Sequence, residues 1–291
     1  MEQWAREGMV FPSAPRGGLD SARASHPWVL EDGSGGLRMW YTGNDGTTSR
    51  ILEALRPAGG AWRCVGIAVD PGSAGGSDAY GVESPCVVAT PGGYLMAYGG
   101  SDGETTRLHM ATSTDARQWT AQGTIMQHGA EDSVAATSPC LLVTNERWWL
   151  YFTGFGDSGN GRRSVVLAAV SGSGASWDRV GAVLEPEQYE LAVSSACVVE
   201  IARTFYMFYA SQDGDRGSIA LATSADGVSW DRRGTTLAPT AEEPEGCGLD
   251  TPCVVRLRDG SLHMWYAALA TDDTGLAYRI HSARFSGSLP A

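Results

Sequence analysis

Residues 81–88 read GVESPCVV: a carboxylate, a serine and a proline ahead of a short β-branched run. The chain writes this strand five times. The other copies are SHPWVL from Ser25, TSPCLL from Thr137, SSACVV from Ser194 and DTPCVV from Asp250. Counted at Pro27, Pro85, Pro139, Ala196 and Pro252, they step by 58, 54, 57 and 56 residues. A second motif, a Trp followed four residues later by Gly, keeps the same period. It recurs at Trp4, Trp62, Trp119, Trp177 and Trp230, in steps of 58, 57, 58 and 53. Between the two motifs lie an aromatic run (LRMWYTG, YLMAYGG, WWLYFTG, FYMFYAS, LHMWYAA) and a shorter one (RILEA, RLHMATS, VVLAAVS, IALATS, RIHSA).

Each unit therefore reads as four short strands separated by turn residues. Four strands at this period make one blade of a β-propeller. The first Trp–Gly motif precedes the first Pro strand, and nothing like it follows the last RIHSA. QWAREG is thus expected to supply the outermost strand of the last blade and close the ring, which removes exposed sheet edges. The sequence predicts an all-β chain, one domain over residues 1–291: a five-bladed β-propeller with four antiparallel strands per blade.

Composition agrees and narrows the partners. Of 291 residues, 43% are apolar, ample for a packed core, and 38 are Gly, which suits a turn-rich β protein. All 21 basic residues are Arg, a mark of a GC-rich bacterial genome that carries no chemistry. The net charge of −12 argues against a nucleic-acid partner, which would call for a basic face. MEQWAREGMVF lacks the basic and apolar regions of a signal peptide, and no apolar run reaches membrane-spanning length, so a cytoplasmic monomer without membrane attachment is expected. Cys86, Cys140, Cys197 and Cys253 hold one position in the innermost strands of blades 2 to 5, with Trp28 in blade 1. Small apolar residues suit the crowded axis, and no CxxC spacing suggests a metal site. The column Tyr41, Tyr98, Phe152, Tyr209 and Tyr266 reads as core between blades.

In an antiparallel blade the second strand ends where the first began. The residues just ahead of each Pro should therefore meet at one end of the axis. Seven before the Pro stand Asp20, Asp78, Asp132, Tyr189 and Glu245; two before stand Ser25, Glu83, Thr137, Ser194 and Asp250; one before stand His26, Ser84, Ser138, Ser195 and Thr251. Six of these are carboxylates. An Asp in the first column could close a turn by accepting backbone N–H groups. Glu83, Asp250 and His26 break the pattern of their columns, which fits a structural role less well. Arg50, Arg107 and Arg279, with Arg163 and Arg216, start the third strands near the same end, where they can pair with the carboxylates or hold an anionic group. His109, His128, His263 and His281 show no metal-ligand spacing, and no cofactor or metal is expected.

The repeated blade, clearest in MWYTGNDG and ATSADGVSW, resembles the five-bladed propellers of glycoside hydrolase families 43 and 32 and the family 130 mannoside phosphorylases, over essentially the whole chain. The resemblance implies a carbohydrate-active protein. It also implies an Asp directly before the first-blade Pro, an Asp directly before the third-blade Pro and a Glu two before the fourth-blade position. Here those residues are His26, Ser138 and Ser194. Of the family 130 Glu-Asp-Pro-Arg motif, GVESPCVV keeps Glu83 and replaces the Asp with Ser84 and the Arg with Cys86. The expected function is an enzyme acting on a small sugar-containing substrate at the channel mouth. Glycoside cleavage needs two carboxyl groups: Glu83 is expected as acid and Asp20 or Asp78 as base, with His26, Asp132, Asp250, Arg50, Arg107, Arg279 and Tyr189 binding substrate. A non-hydrolytic biosynthetic enzyme on this scaffold, or a sugar-binding propeller without catalysis, are the alternatives.

Overall fold

The computed structural model describes residues 4–10, 14–157, 162–214, 216–240, 248–272 and 275–290. Five antiparallel four-stranded sheets form a ring. Blade 1 comprises β2 (Arg23–Glu31), β3 (Leu37–Asn44), β4 (Ser49–Arg56) and β5 (Arg63–Val69). Blade 2 comprises β6 (Gly81–Thr90), β7 (Gly93–Ser101), β8 (Thr106–Ser113) and β9 (Thr120–Thr124). Blade 3 comprises β10 (Ala135–Val143), β11 (Trp148–Asp157), β12 (Arg162–Ser171) and β13 (Asp178–Leu184). Blade 4 comprises β14 (Ala192–Ile201), β15 (Thr204–Asp213), β16 (Arg216–Ser224) and β17 (Asp231–Leu237). Blade 5 comprises β18 (Gly248–Arg256), β19 (Leu262–Asp272) and β20 (Gly275–Phe285), and its outermost strand is β1 (Trp4–Met9). Trp4 pairs with Phe285, and its indole N–H reaches Thr236 Oγ1 of blade 4 at 3.0 Å. The ring closes as the phase of the Trp–Gly motif implies.

The Gly of that motif has a backbone reason. Gly8, Gly66, Gly123, Gly181 and Gly234 sit at irregularities of the outermost strands with φ between 83° and 137°. An added Cβ at Gly8, Gly66, Gly123 or Gly234 would meet nothing within 4 Å, so it is the left-handed backbone that selects Gly there.

The innermost strands share a second irregularity. In each, the ladder skips the residue before the Pro column and the Pro itself, as between Glu83 and Cys86. His26, Ser84, Ser138, Ser195 and Thr251 occupy this bulge with φ of 50° to 55°. Such conformations cost on the order of 1–3 kcal/mol each and persist only where surroundings enforce them. Neighbouring blades supply part of that enforcement. Thr42 Oγ1 accepts the Ser84 N–H at 2.8 Å, Thr153 Oγ1 accepts that of Ser195 at 2.9 Å, and Thr251 Oγ1 accepts that of His26 at 3.2 Å. Blade 4 keeps the bulge with Ala196 in place of Pro, so proline is not what creates it.

The axis is fastened one residue further on. Cys86 Sγ accepts the Leu141 N–H at 3.0 Å, Cys140 that of Val198 at 3.2 Å, Cys197 that of Val254 at 3.2 Å, and Cys253 that of Val29 at 3.3 Å. Trp28 completes the circuit by donating its indole N–H to Val87 O at 2.7 Å. Each blade is thus bonded to the next around the axis. Burial pushes the Cys86 and Cys253 thiols up, so they stay protonated. The Trp28 side chain packs against all five hydrophobic clusters. Four small residues leave a hole at the axis, and the one large residue, Trp28, extends into it, leaving a cavity of about 290 Å³ lined by Trp28, Cys197 and Cys253 among others. Replacing Trp28 with Ala is expected to cost ~3–5 kcal/mol of unfolding free energy, read as a lower denaturant midpoint at unchanged slope. A loss below ~1 kcal/mol would show that the blades close the gap without the indole.

Candidate functional site

The bulges bring the strand starts together at one end of the axis. The residues one before the Pro column form a floor of hydroxyls and one imidazole, with Trp28 beneath. The open hollow lined by His26, Ser84, Ser138, Ser195 and Thr251 is only about 30 Å³, room for one water. A larger ligand must lie above this floor. His26 bonds Ser25 Oγ through Nδ1 at 3.0 Å. Burial, with the charge of Arg23, pushes the His26 imidazole down to about 3, so it is neutral at physiological pH.

Two of the residues two before the Pro column, Glu83 and Asp250, are carboxylates. Glu83 Oε2 is 3.3 Å from Arg23 Nη2, and Glu83 Oε1 accepts the Thr137 hydroxyl at 3.3 Å. The same Arg23 nitrogen donates to Ser49 Oγ at 3.2 Å, and Ser49 Oγ also accepts from Asn44 Nδ2 at 2.9 Å. The ion-paired side chains are 33% and 28% exposed. A pair so open to water contributes only ~0–1 kcal/mol to folding, so its consequence is where it puts charge. Asp250 lies on the other side of blade 1 around the ring. Its carboxylate accepts the Thr251 N–H at 2.7 Å. Burial nevertheless raises the Asp250 carboxyl above its ordinary value, against the opposing pull of that hydrogen bond, of Ser195 and of Arg23. Tyr278 of β20 feels the same surroundings: burial, then the charge of Asp250, lifts its phenol to about 12. Arg23 is thus ion-paired with Glu83 of blade 2 and near enough to Asp250 of blade 5 for its charge to act on that carboxyl.

The column seven before the Pro is occupied differently. Asp20 and Asp132 are buried, and Asp20 accepts the Tyr41 hydroxyl at 2.8 Å. Asp78 accepts the Tyr98 hydroxyl at 3.1 Å, with the His109 ring 3.9 Å away and stacked on Tyr98. In blade 3 the aromatic position is Phe152, which has no hydroxyl, and Arg179 takes over. Arg179 lies over the Phe152 ring and binds Asp132 at 2.9 Å, while Asp132 also accepts the Gly129 N–H at 2.6 Å. In blade 4 the carboxylate is Glu190, not its neighbour Tyr189. Arg232 joins Glu190 (2.7 Å) to the Tyr209 hydroxyl (3.0 Å). Tyr189 is 78% exposed beside it. Of the turn role expected for this column, Asp132 shows the backbone bond. The shared feature is a clasp from the loop to the blade's own aromatic column. Glu245 lies outside the described residues.

The third-strand arginines separate. Arg50 is held by Asp45 at 2.7 Å and Asp70 at 2.9 Å, Arg107 by Asp102, and Arg163 by Glu185 at 3.0 Å. Arg279 is buried and donates to the Ser21 carbonyl at 3.0 Å. The site residues that periodicity did not single out are Arg23 and Tyr278. Arg23 did leave a signal: four before the Pro column the other blades carry Gly81, Ala135, Ala192 and Gly248, and only blade 1 has a charge there. Among the described residues no group of three or more His, Cys, Asp or Glu side chains is arranged to hold a metal ion, and the five described cysteines are free thiols. No helix among the described residues is long and apolar enough to cross a membrane.

His26 gives this site a pH signature. Its folded-state value lies below its ordinary 6.5, so the unfolded chain binds the extra proton. Its contribution to stability is intact above that value and is lost as pH falls from there toward 3. Asp250, shifted upward, acts in the opposite sense and favours the folded state as its carboxyl protonates. His26→Gln is expected to flatten the fall in stability between pH 6 and 4 by up to one proton, ~1.4 kcal/mol per pH unit, in denaturant titrations. An unchanged slope would show that His26 titrates normally.

The sequence profile of the Glycosyl hydrolases family 43 matches residues 81–288. No curated protein sequence matches the chain. Among solved structures, one described as a glycoside hydrolase superposes with a TM-score of 0.81 at 15% identity, covering 98% of this chain and 92% of that one. A thermostable family-43 glycoside hydrolase gives 0.73 at 15% identity, covering 96% and 98%. A glycosyl hydrolase from Bacteroides ovatus gives 0.73 at 14% identity, covering 94% and 87%. At such identities these structures speak for the fold.

Proposed function

This chain belongs to glycosyl hydrolases family 43, and we propose that it cleaves the glycosidic bond of a small sugar-containing substrate seated over the channel mouth beside blades 1, 2 and 5. The observation that carries this reading is the pair of carboxyls around Arg23. Glycoside hydrolysis needs one carboxyl that holds a proton and one that does not. Burial raises the Asp250 carboxyl, the property of a group that donates a proton to the departing glycosidic oxygen. Glu83, ion-paired with Arg23 at 3.3 Å, is the anionic partner, activating water or attacking the anomeric carbon. As the bond to the leaving oxygen breaks, that oxygen takes the Asp250 proton and the sugar carbon gains the water or carboxylate oxygen. Neutral His26 and the Tyr278 phenol hold sugar hydroxyls.

This assignment departs from the roles expected for these side chains from the sequence. Glu83 was the expected acid, yet its side chain is 28% exposed and beside a cation. Asp20 and Asp78 were the expected bases, yet they accept the Tyr41 and Tyr98 hydroxyls; together with Asp132 they fasten the loops that shape the mouth. One observation favours a second reading: the positions where the resemblance implies catalytic carboxylates hold His26, Ser138 and Ser194. A sugar-binding propeller, or one performing non-hydrolytic chemistry, would fit that.

Turnover of a panel of aryl and alkyl glycosides separates the two. The hydrolase reading expects Glu83→Gln to lower turnover by ~10²–10⁴-fold on every substrate cleaved. Asp250→Asn should do so on alkyl glycosides and far less on dinitrophenyl glycosides, whose leaving group needs no proton. Wild-type activity should fall as pH rises past the Asp250 value. Unchanged turnover of alkyl glycosides in either variant sinks the assignment, and sugar binding by wild type without turnover of any glycoside favours the second reading.

A further inference from the structure

Outside the mouth, between the β3–β4 hairpin of blade 1 and the loop leading into β6, runs a groove of about 420 Å³ lined by Thr47, Thr48, Arg50, Asp70, Pro71, Ala79 and Tyr80. Both segments stand at the mouth end. The groove starts where the site stops: Thr48 precedes Ser49, which accepts from Arg23, and Tyr80 lies three residues before Glu83. Its size falls within the range of small-molecule sites.

Its lining combines an aromatic ring, a guanidinium, a carboxylate and two hydroxyls. Tyr80 is 72% exposed although its loop is tied down, the Tyr80 N–H being bonded to Ser101 O at 2.9 Å. One side of the ring rests on Gly103, where an added Cβ would lie 3.1–3.2 Å from three ring atoms. Gly103, with φ of 92°, is doubly constrained to remain Gly. A propped, solvent-facing aromatic ring offers its free face to the C–H side of a sugar at little entropic cost. At the groove wall Arg50 is clamped by Asp45 at 2.7 Å and Asp70 at 2.9 Å, and the Asp70 side chain remains 62% exposed. Fixed donors and a carboxylate side by side can bind a vicinal diol from both ends. Two carboxylates against one guanidinium leave the groove net negative, which disfavours an anionic sugar.

We propose that this groove is a second sugar subsite, in which Tyr80 stacks and Arg50 and Asp70 read the hydroxyls of a neutral ring joined to the one at the mouth. The inference rests on the hydrolase or sugar-binding reading of the mouth and narrows its ligand to neutral glycans of at least two rings. Arg50 thereby acquires a substrate contact away from the axis.

The test measures dissociation constants of cellobiose, maltose, lactose and xylobiose, of their component monosaccharides, and of digalacturonate, for wild type, Tyr80→Ala, Tyr80→Phe and Glu83→Gln. The expected result is a neutral disaccharide that binds wild type roughly tenfold or more tighter than its monosaccharide. That margin should collapse in Tyr80→Ala and survive in Tyr80→Phe, with thermal stability unchanged in both. A margin untouched by Tyr80→Ala, with binding still weakened by Glu83→Gln, overturns the groove and leaves the mouth reading standing. Tighter binding of digalacturonate than of any neutral sugar overturns the neutral assignment. Failure of wild type to bind any sugar overturns the groove and the mouth reading together.

Discussion

Five innermost strands must meet around one axis, and the Trp28 side chain is what lets them. Four of the five positions at that level are Cys, too small to fill the middle, and the fifth is an indole that touches all five hydrophobic clusters. The thiols serve as acceptors: each takes a backbone N–H from the next blade, and the Trp28 N–H closes the circle at Val87. A buried N–H without an acceptor costs about 1–3 kcal/mol, so this circuit satisfies donors that no sheet ladder can reach. The same indole floors the mouth, where the open hollow above it measures about 30 Å³.

The bulges turn that scaffold into a site. With the residue before each Pro column held at positive φ, one ring of small hydroxyls faces the axis and a second ring stands above it. Fivefold repetition would make the second ring uniform, but the chain breaks the repeat on one side only. Blade 1 contributes Arg23 and His26, blade 2 contributes Glu83 and blade 5 contributes Asp250, whereas blades 3 and 4 keep Thr137 and Ser194. The cation and a half-buried carboxyl on one flank create unequal environments for two otherwise similar groups, the usual way a site makes an acid and a base from the same chemistry. The groove along blades 1 and 2 extends from this side.

Much of this was legible in the repeat. Period, phase and ring closure follow from Trp and Pro spacings, because every blade solves the same packing problem. Glu83, His26 and Asp250 stood out as departures within aligned columns. What the columns hid was loop geometry. In blade 4 the clasping carboxylate is Glu190, one residue from where Tyr189 aligned, because loops vary in path even when strands keep register. The clasp itself, Asp to Tyr in blades 1 and 2 and through Arg in blades 3 and 4, links residues about 20 to 50 positions apart that no short motif joins. Arg23 was visible only as one charge in a column of Gly and Ala. Tyr80 and Gly103 meet because two loops of one blade fold together, which periodicity does not encode.

The assignment of acid and base depends on burial raising the Asp250 carboxyl against the charge of Arg23. Carbon-detected titration of aspartate side chains, with Asp250 assigned by its loss in Asp250→Asn, measures this without any substrate. The account predicts that Asp250 titrates above its ordinary value of 3.8 and moves higher still in Arg23→Met, which removes the neighbouring cation. Titration at or below the ordinary value in the wild-type protein would contradict it.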